Sequence, residues 1–272
     1  NTAPAILAAC LFGQKINPNE VFLIAPSDHL ITDKEKFHEA ISFGWKQAKL
    51  GKIVTFGIKP TRPETGFGYL ELSQKTISEP VDLKGFIEKP DYKEAEKMIK
   101  NGNFLWNSGI FMFRAKDMLK LFKKITPELF SKVKNSIEGG VEDLGFFRLE
   151  ETSWDSIDPI SIDYAIMEKI SNLSVVPFYA QWSDMGDWNA VVDQMVSDKN
   201  RVSLSKNSFQ LDCSNSAFRS ENEDQILAIL NNLGLVASDP TGLRKFVRFF
   251  LDYIRKNDIQ DPEQVQELIA IQ

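Results

Sequence analysis

The chain has 272 residues, 43% of them apolar, enough for one large domain, or a large and a small one, with a packed core. Its formal net charge of −6 argues against nucleic-acid binding, because a phosphate backbone is met by clustered Lys and Arg, and here acidic residues outnumber them. No apolar run approaches the roughly eighteen residues of a membrane span, and Asn1 to Ala9 lack the basic start and cleavage site of a signal peptide, so the reading is a cytoplasmic protein.

No initiator Met is present, and Asn1-Thr2-Ala3-Pro4 runs straight into a helical apolar pattern over Ile6 to Phe12, so the chain is expected to begin inside a domain. VFLIAP (21–26) is a continuous apolar run of strand length, read as a central parallel strand buried on both faces and ending in the polar turn Ser27-Asp28-His29. Asp33 to Leu50 sets Phe37, Ile41, Trp45 and Ala48 at helical steps, and IVTFGI (53–58) is strand-like again. Strand, helix, strand implies a parallel α/β sheet.

After Lys59 the chain turns irregular through PTRPETGFGYL, then offers extended pieces at Val81 to Ile87 and Ile110 to Phe113 that suit an antiparallel addition or a sheet edge. Asp91 with Glu94 has the form of a capping box, opening a helix that stops at Asn101-Gly102. Ala115 to Ile137 is amphipathic with a break at Pro127, SIDYAIMEK (161–169) is a short helix capped by its Ser or Asp, and Leu173 to Phe178 is a last buried-type strand leading into QWSDMGDW. Composition changes near Asp198, where RVSL, SFQLD, SAFRS and QILAIL suggest a few small strands in the manner of the first coils of a β-helix. From Thr241 the reading is helical: LRKFVRFFLDYIRK (243–256) spaces its aromatic residues along one face, and Asp261-Pro262-Glu263 starts a second helix. Cys10 and Cys213 have no ligand-spaced neighbours and read as buried thiols.

Several positions suit chemistry as well as ordinary structure. Asp28 and Asp184 each follow an apolar strand, and a parallel α/β sheet places its ligands at that carboxyl edge, so the pair suits Mg²⁺, which takes one or two carboxylates plus substrate phosphates. They read equally as caps or loop carboxylates. Glu88-Lys89-Pro90 is either a surface turn or a phosphate-binding Lys beside an acceptor for sugar hydroxyls. Thr65-Gly66-Phe67-Gly68-Tyr69 is too short for a Walker loop, but its glycines would let backbone approach a ligand. Trp106-Asn107-Ser108-Gly109 suits sugar hydroxyls or a turn. His29 lies beside Asp28 in the candidate site, whereas His38 falls on a polar helix face.

Over roughly residues 1 to 230 the strings NTAPAI, PSDHLI, GIKPTRPETGFGYL, GFIEKP, WNSGIFMF, SIDYAIMEK and WSDMGDW occur in the order of the bacterial mannose-1-phosphate guanylyltransferase family of sugar nucleotidyltransferases, which the chain therefore resembles. The resemblance implies a Rossmann-like, mixed but mostly parallel sheet of nucleotidyltransferase type over 1–197, and the change in composition adds a small β-helix-like and helical segment over 198–272. It implies transfer of GMP from GTP to mannose 1-phosphate, giving GDP-mannose and pyrophosphate, by Mg²⁺-assisted direct displacement. By matching motif, Asp28 and Asp184 resemble the metal-binding aspartates and Lys89 the group that grips the sugar phosphate. Glu88, Asn107, Gly68 and Tyr69 resemble mannose contacts; Asn1, Thr2 and Pro4, with Pro26 and Ser27 nearby, resemble the nucleotide pocket.

The family's glycine-rich loop with its Arg, and the Lys soon after it, belong before NTAP, so they are expected in a preceding segment. At the other end the expected helical tail departs from the family's further β-helix, and no cupin histidines signal an isomerase. The tail's aromatic face is a candidate surface for a homodimer. Two rivals stand beside catalysis: an enzyme of other sugar or base specificity, and a silent relative that binds GDP-mannose as a regulatory subunit. Retention of Asp28, Lys89 and Asp184 speaks against the second.

Overall fold

The computed structural model describes residues 1–73, 78–186, 188–195, 197–204, 208–211, 214, 216–218, 226–230 and 233–237. The chain divides into two compact units, Asn1–Met185 and Gly186–Gln272.

In the first unit, helix α1 (Thr2–Ile16) starts at Asn1, whose side-chain oxygen accepts the Thr2 N–H, and buries Ala3, Ile6, Leu7 and Cys10 along one face. Strands β1 (Val21–Ile24) and β2 (Leu30–Ile31) precede α2 (Lys34–Lys49), which Asp33 caps through the Lys36 N–H. There follow β3 (Ile53–Ile58), β4 (Tyr69–Glu71), β5 (Val81–Asp82) and β6 (Gly85–Ile87). Helix α3 (Tyr92–Asn101) opens with the Asp91 carboxylate on the Glu94 N–H and closes at Gly102, whose φ of 77° is the left-handed stop that glycine permits. The eleven-residue β7 (Phe104–Arg114) leads into α4 (Ala115–Ile125) and α5 (Pro127–Glu138), parted at Thr126 with proline in the first turn of α5. A hairpin of β8 (Val141–Asp143) and β9 (Phe146–Arg148), the short helices α6 (Glu151–Asp155) and α7 (Ile162–Ala165), β10 (Leu173–Phe178) and β11 (Trp182–Ser183) complete the unit.

Among the described residues these strands form a seven-stranded mixed sheet in the order β5-β10-β3-β7-β4-β6, with β1 added alongside β7. Within this sheet, parallel pairing among the described residues is confined to β3 and β10. The strands β1, β3 and β10 do share one direction, as strand-helix-strand patterning requires, but β7 runs against them and inserts between β1 and β3. The expectation for VFLIAP is corrected here. β1 has the antiparallel β7 as its one described strand neighbour, and it is half-buried, with Leu23 40% exposed, where a strand flanked on both sides would be sealed.

Alternate residues of the sheet feed different cores. Ile53, Phe111, Phe113 and Leu173 pack with α1, α4, α5 and α7, while Val54, Phe56, Met112, Val176 and Phe178 pack with residues of α2 and α3. A third, small cluster of Leu70, Leu72, Leu105 and Val175, with Val81, Leu83 and Phe86 against it, arises because β5 and β6 lie at opposite ends of the strand order yet are joined by Leu83-Lys84 alone. The Leu83 N–H donates to the Leu173 carbonyl and the Lys84 N–H to that of Glu71, so the sheet is curled until its two ends share one link.

The second unit begins with α8 (Trp188–Gln194) and continues in β12 (Val202–Leu204), β13 (Ser208–Leu211), β14 (Ser216–Phe218), β15 (Ile226–Leu230) and β16 (Leu233–Ala237). β12 pairs in parallel with β14 and β13 with β15, a skipping of neighbours that suits β-helix coils, and β16 folds back antiparallel on β15. Cys213 and the tail from Thr241, with its expected helices, lie outside the described residues.

Gly57 marks the tightest point of the curl: a Cβ there would meet Leu105 Cδ1 at 2.5 Å and Val175 Cγ2 at 2.8 Å. Gly57→Ala is therefore expected to destabilise the protein by about 1–3 kcal/mol by overpacking, read as a lower urea midpoint at unchanged m-value. An unchanged midpoint would mean that the curl relaxes freely.

Candidate active site

Several of the expected site residues, Pro26, Gly68, Glu88 and Asn107 among them, lie around the point where β7 loses its neighbours. One edge of β7 pairs with β3; the other pairs with β4 over residues 104–106 and with β1 over 111–114, leaving the stretch between without a strand partner among the described residues. Its backbone donors are satisfied locally. The Asn107 N–H donates to the Gly68 carbonyl at 2.7 Å, the Gly109 N–H to Asn107 Oδ1 at 3.3 Å and the Ile110 N–H to Ser108 Oγ at 3.3 Å. Gly109 sits at φ 71°, and Pro26 and His29 each lie 3.8 Å from where its Cβ would be. Asn-Ser-Gly is thus a break in the strand whose Asn107, Gly109 and Ile110 N–H groups still find acceptors.

On one side of the break stand the aspartates. β2 and β11 pair antiparallel, Leu30 opposite Ser183 and Ile31 opposite Trp182. That short ladder brings Asp28 and Asp184, some 150 positions apart in sequence, to a common neighbour: both carboxylates act on the His29 imidazole, whose pKa burial lowers and the two carboxylates oppose. Trp182 Nε1–H donates to His29 Nδ1 at 3.3 Å, so the neutral imidazole holds its proton on Nε2. Among the described residues no hydrogen bond or ion pair engages either aspartate, so both remain available as hard oxygen donors. Met185, directly after Asp184, is at φ 51°, a left-handed conformation in a residue with a Cβ.

On the other side stands the EKP turn. Lys89 is exposed at the end of β6, also left-handed at φ 50°. The Glu88 backbone N–H donates to Glu168 Oε1 at 2.9 Å, while its side-chain Oε2 is buried with no partner. Burial first, then the nearby Asp163 carboxylate, push the Glu88 carboxyl up to about 7, against the pull of Lys89. Gly68 makes this possible, since a Cβ there would meet Glu88 Oε2 at 2.5 Å and Asn107 Cβ at 3.3 Å. Tyr69 is wholly buried, and its hydroxyl both accepts the Glu64 N–H and donates to the Glu64 carbonyl, so its ring ties down the 64–68 loop. Phe67 stands edge-on to both Trp106 and Trp182, joining the two sides of the break through one aromatic row.

Of the nucleotide-pocket candidates, Asn1 caps α1, Pro4 is buried in its first turn, and Thr2 Oγ1 accepts the Ile162 N–H at 2.9 Å. Pro26 overlies Gly109, and Ser27 is exposed beside it. Asp163, Glu168 and Thr55 escaped sequence reasoning. Asp163 accepts from Asn107 Nδ2 at 3.1 Å, and its carboxyl is raised mainly by burial, against the stabilising Lys89. A hydroxyl at the centre of the wholly buried IVTFGI strand was the available signal for Thr55.

Residues 1–201 match the nucleotidyl transferase family. The chain is similar to the xanthan biosynthesis protein XanB of Xanthomonas campestris, 40% identical over 79% of this chain and 46% of that protein. It is similar to the mannose-1-phosphate guanylyltransferase RfbM of Salmonella typhimurium, 33% identical over 98% of this chain and 58% of the relative, and so spans about half the length of both. Among solved structures it resembles a mannose-1-phosphate geranyltransferase from Thermus thermophilus, with a TM-score of 0.68 and 26% identity over 92% of this chain and 75% of that one. It also resembles a mannose-6-phosphate isomerase from Helicobacter pylori, with a TM-score of 0.61 and 33% identity over 67% of this chain and 70% of that one. No helix among the described residues is long and apolar enough to cross a membrane.

The raised Glu88 carboxyl gives a sign that can be measured. Between the ordinary carboxylate range and about 7 the native state holds a proton that the unfolded chain has released, so stability falls as pH rises through that window and levels above it. Glu88→Gln removes this contribution, and the variant's advantage in urea midpoint should widen between about pH 5 and about pH 7.5. A difference that stays constant would place Glu88 in the ordinary range.

Proposed function

The chain belongs to the nucleotidyl transferase family, and we propose that it transfers GMP from GTP to mannose 1-phosphate, giving GDP-mannose and pyrophosphate. The observation that supports this most directly is the convergence of Asp28 and Asp184 on one side of the break in β7, with Lys89 and Glu88 on the other. Such a site has carboxylates for a cation at one end and a cation for a phosphate at the other. The guanine and mannose specificities rest on likeness to relatives named for that reaction.

In this reading an oxygen of the sugar phosphate attacks the α-phosphorus of GTP, a new P–O bond forms, the bond to the β-phosphate breaks, and pyrophosphate leaves with the displaced electron pair. Nothing in the cleft is needed as a covalent nucleophile, so the protein's share is alignment and charge. Lys89 holds the sugar phosphate as a point charge, kept at the strand end by its left-handed backbone and the buried Pro90. Glu88 and Asn107 take sugar hydroxyls, with the Gly68 backbone close by, while Tyr69 contributes by fixing the loop. Asn1, Thr2, Pro4, Pro26 and Ser27 line the nucleotide end. Asp28 and Asp184, free of other partners among the described residues, would hold Mg²⁺, which when bound supplies charge neutralisation at the reacting phosphates. We place the reaction in the cytoplasm because both substrates are phosphorylated and do not cross membranes unaided.

The test is pyrophosphate release by the intact protein with Mg²⁺, offering GTP, ATP, UTP and dTTP each against mannose 1-phosphate and glucose 1-phosphate. Release with GTP and mannose 1-phosphate alone is the expected result; another productive pair would overturn the specificity, and GDP-mannose binding without release would favour a regulatory relative. Asp184→Asn should lower kcat by about 10²–10³ with the melting temperature kept, and unchanged turnover would remove Asp184 from the metal site. Lys89→Ala should raise KM for mannose 1-phosphate by about tenfold or more while KM for GTP changes less. Equal effects on both would place Lys89 elsewhere.

A further inference from the structure

Asn107 is held by three groups from three different parts of the chain. Thr55, wholly buried on β3, donates its hydroxyl to Asn107 Oδ1 at 2.7 Å, with the Ile110 carbonyl 3.3 Å away as a weaker alternative acceptor. The Gly109 N–H donates to the same Oδ1, and Asn107 Nδ2 donates to Asp163 Oδ1 at 3.1 Å. A backbone N–H can only donate and an ionised carboxylate can only accept, so Gly109 and Asp163 together decide which end of the carboxamide is oxygen. With Oδ1 taken by two donors and one Nδ2 hydrogen engaged, the polar group that Asn107 has left to offer is its second N–H.

We infer that Asp163 is a positioning residue that locks the Asn107 carboxamide so that position 107 presents a hydrogen-bond donor, and no acceptor, to the sugar phosphate. The inference rests on the proposed placement of Asn107 at the sugar. A ligand group meeting Asn107 must then offer a lone pair, as a hydroxyl or phosphate oxygen does, and a group that can only donate is refused. The backbone beneath Asp163 is itself anchored, because Ser161 Oγ accepts the Tyr164 N–H and Thr2 Oγ1 accepts the Ile162 N–H. Asp163 thereby connects the first turn of α1, on the nucleotide side, to the carboxamide on the sugar side. Glu88, Lys89 and Glu168 are its charged neighbours, so the same carboxylate stands within the electrostatic reach of the EKP turn.

A double-mutant cycle on the intact protein tests this. Asp163→Ala and Asn107→Ala should each raise KM for mannose 1-phosphate by about tenfold and leave KM for GTP within about twofold, and the double variant should be no worse than Asn107→Ala alone, because one residue acts through the other. Asp163→Asn, which keeps an acceptor oxygen for Asn107 Nδ2, should return KM to within about threefold of wild type. Effects that multiply in the double variant, KM values that rise together for both substrates, or no rescue by Asp163→Asn would overturn the inference. Should Asp163→Ala fail to fold, Asp163→Ser, too short to reach Asn107, replaces it in the cycle with the same expectations. A wild type inert to this substrate pair would overturn the proposed function and this inference with it.

Discussion

The candidate site depends on one interruption of hydrogen bonding, the stretch of β7 that no strand among the described residues covers on its outer edge. A strand that loses its neighbour leaves backbone donors and acceptors exposed, and burying them unpaired would cost on the order of 1–3 kcal/mol each. Here the Asn107 and Ser108 side chains accept the Gly109 and Ile110 N–H groups, the Gly68 carbonyl accepts that of Asn107, and Gly109 supplies the left-handed step after them. Pro26 and His29 flank the uncovered stretch from the β1 side and Gly68 and Glu88 from the β4–β6 side. Both sets of candidate residues belong to segments that had to diverge at this point.

That divergence is held open by the curl of the sheet. With β5 and β6 joined through Leu83-Lys84, the strand order turns back upon itself, and β4 and β6 are fixed to β7 and to the far edge at once. β4 therefore cannot slide along β7 to close the break without pulling Leu83 from the Leu173 carbonyl. Gly57 and the cluster of Leu70, Leu72, Leu105 and Val175 fill the inside of the curl, so the interior that sets the strand positions is small and intolerant of added volume. Core packing and the shape of the cleft are, in this arrangement, one constraint.

Much of this was legible from residues alone. Helix limits followed from Asp33, from the Asp91 and Glu94 box with its Gly102 stop, and from Pro127, because capping is local chemistry. The motifs bearing Asp28, Lys89, Asn107 and Asp184 were picked out, and the structure brings Glu88, Gly68 and Asn107 into contact and sets Asp28 and Asp184 around one imidazole. What could not be read was pairing at long range. VFLIAP looks the same whether one neighbour or two will flank it, and nothing in FLWNSGIFMFR announces that it will part β1 from β3. Tyr69 was matched to a mannose contact by motif alone, which says nothing of the bonds its hydroxyl makes with the Glu64 backbone. Asp163 was hidden by its position: an aspartate two places after a capping serine reads as helix-start chemistry until the fold sets it beside Asn107.

Two further features point the same way. Among the described residues, non-glycine left-handed backbone occurs at Lys89, Leu144, Met185 and Arg201, and two of these four directly follow the carboxylates of the cleft, Glu88 and Asp184. Each costs on the order of 1 kcal/mol or more and persists where surrounding contacts over-determine it. At Met185 the N–H is held by Ser183 Oγ at 3.2 Å, and at the EKP turn the Glu88 N–H is held by Glu168 Oε1 at 2.9 Å. A strand that simply ran on past Glu88 or Asp184 would send the following side chain to the opposite face by the alternation of the pleat. The left-handed step breaks that alternation immediately after the carboxylate, so the chain can leave the cleft while the charged groups remain at its rim. The strain thus sits where chain direction and side-chain placement make opposing demands, and relieving it with glycine would give up the fixed direction on which the opposed ends of the site depend.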